Sequence, residues 1–178
     1  MSKVLTELTP EMVDALQGNN IVLLNVVEKE SGAIYSTALS WVYAVNATTI
    51  RFAIDAKSDF IKIIEQDPAV LLNFTAQESV FSLTGKASVK VAKTEGLTLK
   101  LALIEVQVEG IRDIIFYGGK ITTKLEFVKT YNADLVKKNS ILRSKRPSIT
   151  LNYRYQCIHH TVYNSKIYIY LRKGRSKA

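Results

Sequence analysis

From residue 81 to residue 91 the chain alternates without a break. Phe81, Leu83, Gly85, Ala87, Val89 and Val91 are apolar or small, and Ser82, Thr84, Lys86, Ser88 and Lys90 lie between them. A period of two sends successive side chains to opposite faces, so this stretch reads as a β-strand with one face in a core and the other in water. A second alternating stretch follows it. Leu97, Leu99, Leu101 and Leu103 keep one phase, whereas Ile104, Val106 and Val108 keep the other, with Glu105, Gln107 and Glu109 between them. The slip of one residue predicts a β-bulge near Leu103. Glu105, Gln107 and Glu109 read as a solvated strand face, because charged side chains are rarely buried.

The rest of the chain supplies partners for these strands. Thr9, Pro10 and Glu11 are an N-cap, a first-turn proline and a first-turn acid, and Met12, Val13 and Leu16 form an apolar stripe before Gly18, which predicts a short helix. Residues 21–27 are almost wholly aliphatic; a turn over 28–32 joins them to a second run over 33–45, and a third strand over 49–54 follows a turn at Asn46 and Ala47. Short connections predict an antiparallel meander. Ser58 would cap a helix carrying Phe60, Ile61, Ile63 and Ile64, ended at Asp67 by Pro68. Further strands are predicted over 70–75, over 111–117 up to Gly118 and Gly119, and over 125–128, with a helical stretch around 131–138. Six to eight strands with two or three small helices define a mainly β, antiparallel fold, a closed or nearly closed barrel rather than an α/β sheet. No internal repeat is visible.

A length of 178 residues suits one domain with a single core. The net charge of +8 resembles that of a nucleic-acid or membrane-surface binder, but it is unevenly placed. Residues 1–138 hold fifteen Lys and Arg against all sixteen Asp and Glu, a net −1, and residues 139–178 hold nine basic residues and no acid. The division is into a nearly neutral domain, 1–138, and a basic tail, 139–178. The lone Cys157 cannot form an internal disulfide. The first residues carry acids and no leader-type apolar core, and no run approaches the ~18 apolar residues of a membrane helix. The expectation is a cytoplasmic protein without a membrane partner.

Chemistry is constrained by absence. The first 138 residues have no histidine and no cysteine, which argues against Ser-His-Asp, Cys-His and His-rich zinc sites there. Cys157, His159 and His160 lack a second ligand pair at zinc spacing, so no metal is expected. The most informative segment is residues 52–62, where a strand delivers the chain to a turn with Lys57 and Ser58 and a helix opens at once. Helix-start N–H groups, the Ser58 hydroxyl and a lysine ammonium could hold a phosphate. An ordinary capped helix is the competing reading.

The order of a short first helix, the run Ser36-Thr37-Ala38-Leu39-Ser40-Trp41-Val42, the strand-turn-helix TIRFAIDAKSDFIKIIEQDP, the strand AVLLNF, the strand FSLTGKASV and the later IEVQVEGIRDIIFYGGKI resembles the FMN-binding split-barrel family, the pyridoxamine 5′-phosphate oxidase-like proteins. The resemblance covers about residues 8–132. It implies an antiparallel split β-barrel of Greek-key type, non-covalent FMN and a homodimer with two equivalent flavin sites at its interface. It also implies that Ala38, Leu39, Ser40, Trp41 and Val42 wall the flavin ring, with Ser40 bonding its polar edge. Ala53, Ile54 and Asp55 would add contacts from the next strand, and Lys57, Ser58 and Lys62 would address the phosphate. Family members often place Arg or Lys just after the serine, where this chain has Asp59 and Phe60. The terminal Arg-x-His element of the true oxidase has no counterpart in YLRKGRSKA, so vitamin B6 oxidation is not the expected reaction.

The tail contains Tyr153, Tyr155, Tyr163, Tyr168 and Tyr170 interleaved with Arg154, Lys166 and Arg172. Such a mixture can stack bases and neutralise phosphates. A solvated basic extension, or a terminus not native to the fold, as a shifted reading frame would give, are the alternatives. The resemblance fades where the composition changes, which favours the last. Expected function is therefore flavin-dependent redox chemistry on a small-molecule substrate or electron donor, with no catalytic acid or base assigned. The alternatives are a flavin carrier or sensor, a cofactor-free dimeric scaffold and, third, nucleic-acid binding through the tail.

Overall fold

The protein is described from a computed structural model, which covers residues 3–94, 100–123, 125–128 and 130. The first helix, α1, is Pro10–Ala15. Thr9 caps it in extended conformation, its Oγ1 accepting the Met12 N–H at 3.3 Å. Met12 and Leu16 are buried. The second helix, α2, is Asp59–Gln66, flanked by Ser58 and Asp67 as predicted, and it buries Ile61, Ile63 and Ile64.

Seven strands are present among the described residues: β1 (Val22–Val27), β2 (Ile34–Leu39), β3 (Val42–Asn46), β4 (Thr49–Asp55), β5 (Ala69–Ala76), β6 (Ser79–Val91) and β7 (Leu101–Asp113). All neighbouring pairs are antiparallel, in the order β2-β1-β5-β6-β7-β4-β3. The predicted single strand over 33–45 is thus two strands broken at Ser40 and Trp41, and the predicted meander is two hairpins, β1-β2 and β3-β4, at opposite edges of the sheet. Only two residues link those edges, and three Cα steps span at most about 11 Å. The sheet must therefore curl until β2 and β3 approach each other at this corner. They do not pair, so the sheet is not closed and the barrel is split there.

The inside of the curl is the core. Val22, Leu24, Ile50, Phe52, Leu72, Phe74, Leu83 and Ile104 fill it, with Met12 of α1, Leu16 just after it and Ile61 and Ile64 of α2 in the same cluster. The Phe74 and Phe81 rings stack with centroids 5.9 Å apart. The alternation has its predicted sense as far as Val89, with Phe81, Leu83, Gly85 and Ala87 buried and Thr84, Lys86 and Ser88 exposed, whereas Val91 falls on the outer face. Gly85 has to be glycine because a Cβ there would overlap the Gln107 carbonyl oxygen of β7. Gln77 and Glu78, between β5 and β6, both have positive φ, the backbone of a tight primed hairpin turn. Gln77 Nε2 donates to Thr9 Oγ1 and Glu11 Oε2, tying this hairpin to the start of α1.

The register shift expected near Leu103 lies opposite Leu103 and Ile104, but the extra residue is Lys90 of β6 rather than a residue of β7. A second shift occurs between Thr84 and Gly85. The predicted strand over 111–117 is not a separate element: residues 111–113 are the end of the thirteen-residue β7. Residues 125–128 form no strand, having no ladder partner. Leu97 and Leu99, the helical stretch around 131–138 and the tail over 139–178 lie outside the described residues. No helix among the described residues is long and apolar enough to cross a membrane.

Candidate functional site

Strand parity decides which predicted residues can meet a ligand. Ile50, Phe52 and Ile54 of β4 point into the core, so Arg51, Ala53 and Asp55 point out. On β3, Val42 and Ala44 point in and Tyr43 points out; on β7, Ala102, Ile104 and Val106 point in and Leu103 and Glu105 point out. The Val42 and Ile54 side chains are therefore core residues, and they offer only backbone to anything outside. Trp41 and Ala53 are joined, the Ala53 N–H donating to the Trp41 carbonyl at 3.4 Å. Together with Val91 they pack against Tyr43 and Leu103, a second apolar cluster on the outer face. Gly18 fits beneath this cluster because it has no Cβ to strike the Tyr43 ring, and its φ of 78° suits glycine.

Asp55 organises the turn that follows. Its Oδ1 accepts the Lys57 N–H at 2.8 Å, and its carbonyl accepts the Ser58 N–H at 3.0 Å. The Ala56 N–H donates to the Lys100 carbonyl, anchoring the turn to the segment before β7. Ser58 is extended, and its side chain makes no cap bond to the helix. Lys57 is exposed. Lys62 pairs with Asp59 across one helical turn, Nζ to Oδ1 3.4 Å, both side chains largely in water. The side-chain charges around the turn thus balance, Lys57 and Lys62 against Asp55 and Asp59. Ala38 and Leu39 are ladder residues of β2, opposite Leu23 and Val22, and Ser40 stands half-buried at the corner. Phe60, at the start of α2, meets Tyr35 of β2 edge-on with ring centroids 6.4 Å apart.

The most heavily built polar cluster among the described residues was not foreseen. Glu105, expected in a solvated row, is only 9% exposed, and Arg51 only 7%. Cross-strand register sets them opposite each other, and Arg51 Nε and Nη2 both donate to Glu105 Oε2 at 2.8 Å. Lys90, displaced by the register shift, reaches Glu105 Oε1 at 3.1 Å. Burial pushes the Glu105 carboxyl up, but the hydrogen bonds and charges of Arg51 and Lys90 outweigh it and hold the group below the ordinary glutamate value. With Leu103 these three side chains line a cavity of about 190 Å³. The one sequence signal was Arg51 itself, a single charge inside the otherwise uncharged run TTIRFAI. No group of three or more His, Cys, Asp and Glu among the described residues could hold a metal ion.

No family model matches the chain, and no curated protein matches it. Solved structures do. A pyridoxamine 5′-phosphate oxidase candidate from Lactobacillus delbrueckii aligns with TM-score 0.51 and 14% identity, covering 62% of this chain and 98% of that one. Group A Streptococcus HupZ, in a tagged form, aligns with TM-score 0.50 and 15% identity, covering 65% of this chain and 99% of its own. These likenesses concern the fold. The chain has the antiparallel split-barrel fold of pyridoxamine 5′-phosphate oxidase-like proteins, with the barrel open between β2 and β3.

Proposed function

We propose that the protein is a cytoplasmic FMN-binding flavoprotein that acts as a homodimer in redox chemistry on a small molecule. The observation that carries this reading is the half-buried outer-face pair Trp41 and Ala53, continuous along β4 with the turn of Asp55, Lys57 and Ser58. A flat ring would lie against the first, and a phosphate would take the second, where the Ser58 hydroxyl is not engaged by its own helix. Bound FMN would supply the electron chemistry, and the protein supplies position, electrostatics and exclusion of water. Trp41, Ala53 and Ser40 would hold the ring, with Val42 and Ile54 contributing backbone and Ala38 and Leu39 bounding the corner from β2. Ser58 and Lys57 would address the phosphate, and Lys62 would join them by leaving Asp59.

The charge balance of that turn favours a second reading, a split barrel that keeps the scaffold without the cofactor. Titration with FMN separates the two. Binding will shift the flavin bands near ~370 and ~450 nm and alter flavin fluorescence. A spectrum identical to that of free FMN at saturating protein overturns the flavin reading. Reduction of bound flavin by NADH or NADPH with turnover of an acceptor then distinguishes an oxidoreductase from a carrier.

A further inference from the structure

Past the end of β7 the chain carries apolar side chains away from the core. Residues 114–117 read Ile-Ile-Phe-Tyr, and Gly118 and Gly119 turn the chain back. Ile114 is half exposed, Phe116 is 77% exposed and Tyr117 wholly so. Both ends of this loop are nevertheless fixed to the β5-β6 hairpin. The Ile114 N–H donates to the Val80 carbonyl at 2.9 Å, the Ile121 N–H donates to the Glu78 carbonyl at 2.7 Å, and Lys120 Nζ lies 2.7 Å from Glu78 Oε2. Between them the Gly119 N–H closes on the Phe116 carbonyl. Two aromatic rings held in water by a tied loop forgo the burial that makes such residues stabilising.

The outward face of β1 and β2 has the complementary lack. Leu23, Val27 and Ile34 stand there around Asn25, Ser36 and Ala38, with no charge among them. The loop from Ile114 to Gly119 is uncharged as well. Few charges and aromatic anchors are the composition of an interface core. The two surfaces are neighbours: Val80 lies opposite Thr75 of β5, and Leu23 lies opposite Asn73 of the same strand. The root of the loop is thus two strands, about 10 Å, from the face, yet within one chain each leaves the other exposed. Their area points to a second copy as the occupant. At about 200 Å² for a large side chain, Leu23, Val27, Ile34, Ile114, Phe116 and Tyr117 expose roughly 800 Å² per copy, the share of each partner in a standard-size interface.

We propose that residues 114–119 form a prong that, in a two-fold dimer, seats Phe116 and Tyr117 on the β1-β2 face of the second copy, whose own prong covers the first copy's face in return. The assignment rests on the homodimer of the proposed function and holds whether or not a flavin binds.

The test is sedimentation of the full chain over a concentration series, with Ile34→Asp, Tyr117→Lys and an equimolar mixture of the two. A two-fold axis puts each change at both contacts, so either variant alone should weaken self-association at least about thirtyfold, the loss of one hot-spot side chain. In the mixed dimer the introduced acid meets the introduced base at one contact, and the other contact is native. The mixture should therefore associate within about tenfold of the parent. Where a variant does not fold by circular dichroism, Val27→Asp or Phe116→Lys takes its place. A dimeric parent whose association neither substitution weakens, or variants that stay apart when mixed, overturns the prong and leaves the homodimer standing. A parent that is monomeric throughout the series overturns both.

Discussion

Two parts of the same outer surface behave differently. On β1 and β2 the outward residues Leu23, Val27 and Ile34 are 44, 49 and 74% exposed. They share one face because Val27 lies opposite Ile34 and Leu23 opposite Ala38. Asn25 stands among them, its Nδ2 donating to Asn73 Oδ1 at 2.9 Å across to β5. On β3, β4 and β7 the outward residues Tyr43, Arg51, Leu103 and Glu105 are all buried. The chain covers and pairs that second region with its own groups. The first remains apolar and bare, on a sheet edge whose unpaired backbone invites another strand or surface. The second therefore stabilises the single chain, and the first is where the proposed homodimer would gain its area.

The sharpest way to break this contrast is inside the covered region. Glu105→Ala should cost about 3 kcal/mol, the lower end for a buried pair because the cavity admits water. Urea unfolding measures it, and Arg51→Met with Glu105→Leu should recover most of the loss. Next, Ile34→Asp should leave monomer stability nearly unchanged, since the side chain is exposed, but weaken self-association by about 2 kcal/mol if it sits at the centre of an interface. Sedimentation over a concentration series reads it, and an unchanged association constant would separate the bare face from dimerisation. Smaller still, Thr9→Ala removes a cap and the Gln77 anchor and should cost about 1 kcal/mol by thermal unfolding.

Acidity probes the covered region reversibly. Glu105 is held below its ordinary 4.5, so the stability it contributes is complete above that value and is lost as pH falls through the lowered folded value. The urea midpoint of the parent should accordingly fall more steeply below pH 4.5 than that of Glu105→Gln. The smallest effect belongs to Lys62→Ala. Its pair with Asp59 is 79% exposed on both sides, so stability should be unchanged within error, whereas FMN affinity would drop only if Lys62 serves the phosphate.

The helices and most strands were legible because their signals are local. Thr9 with Pro10, Ser58, and Asp67 with Pro68 mark helix ends through their own backbone and capping chemistry, and the period-two pattern of 81–91 needs only its own side chains. The run over 33–45 misled because both of its strands are extended. Nothing local says that β2 turns to one edge and β3 to the other. Of the candidate site, the contiguous turn from Asp55 to Ser58 lay in one stretch of chain and was visible as such. Whether Val42 and Ile54 look outward depends on which face the curled sheet buries. Residues 125–128 have strand-like composition but no neighbouring strand to complete a ladder.

The pattern of polar and apolar residues was enough to establish an antiparallel, mainly β chain with two short helices, because alternation and helix-end signals act within a few residues. The split in the barrel, the bare face of β1 and β2, and the Arg51, Glu105 and Lys90 cluster were set by strand register. Arg51 and Glu105 are 54 positions apart, and Lys90 joins them only through a one-residue shift between β6 and β7. A one-residue change of register sends a side chain to the opposite face. Such a shift brought Lys90 to Glu105, the one member of the expected solvated row that is buried, while Gln107 and Glu109 are exposed as expected.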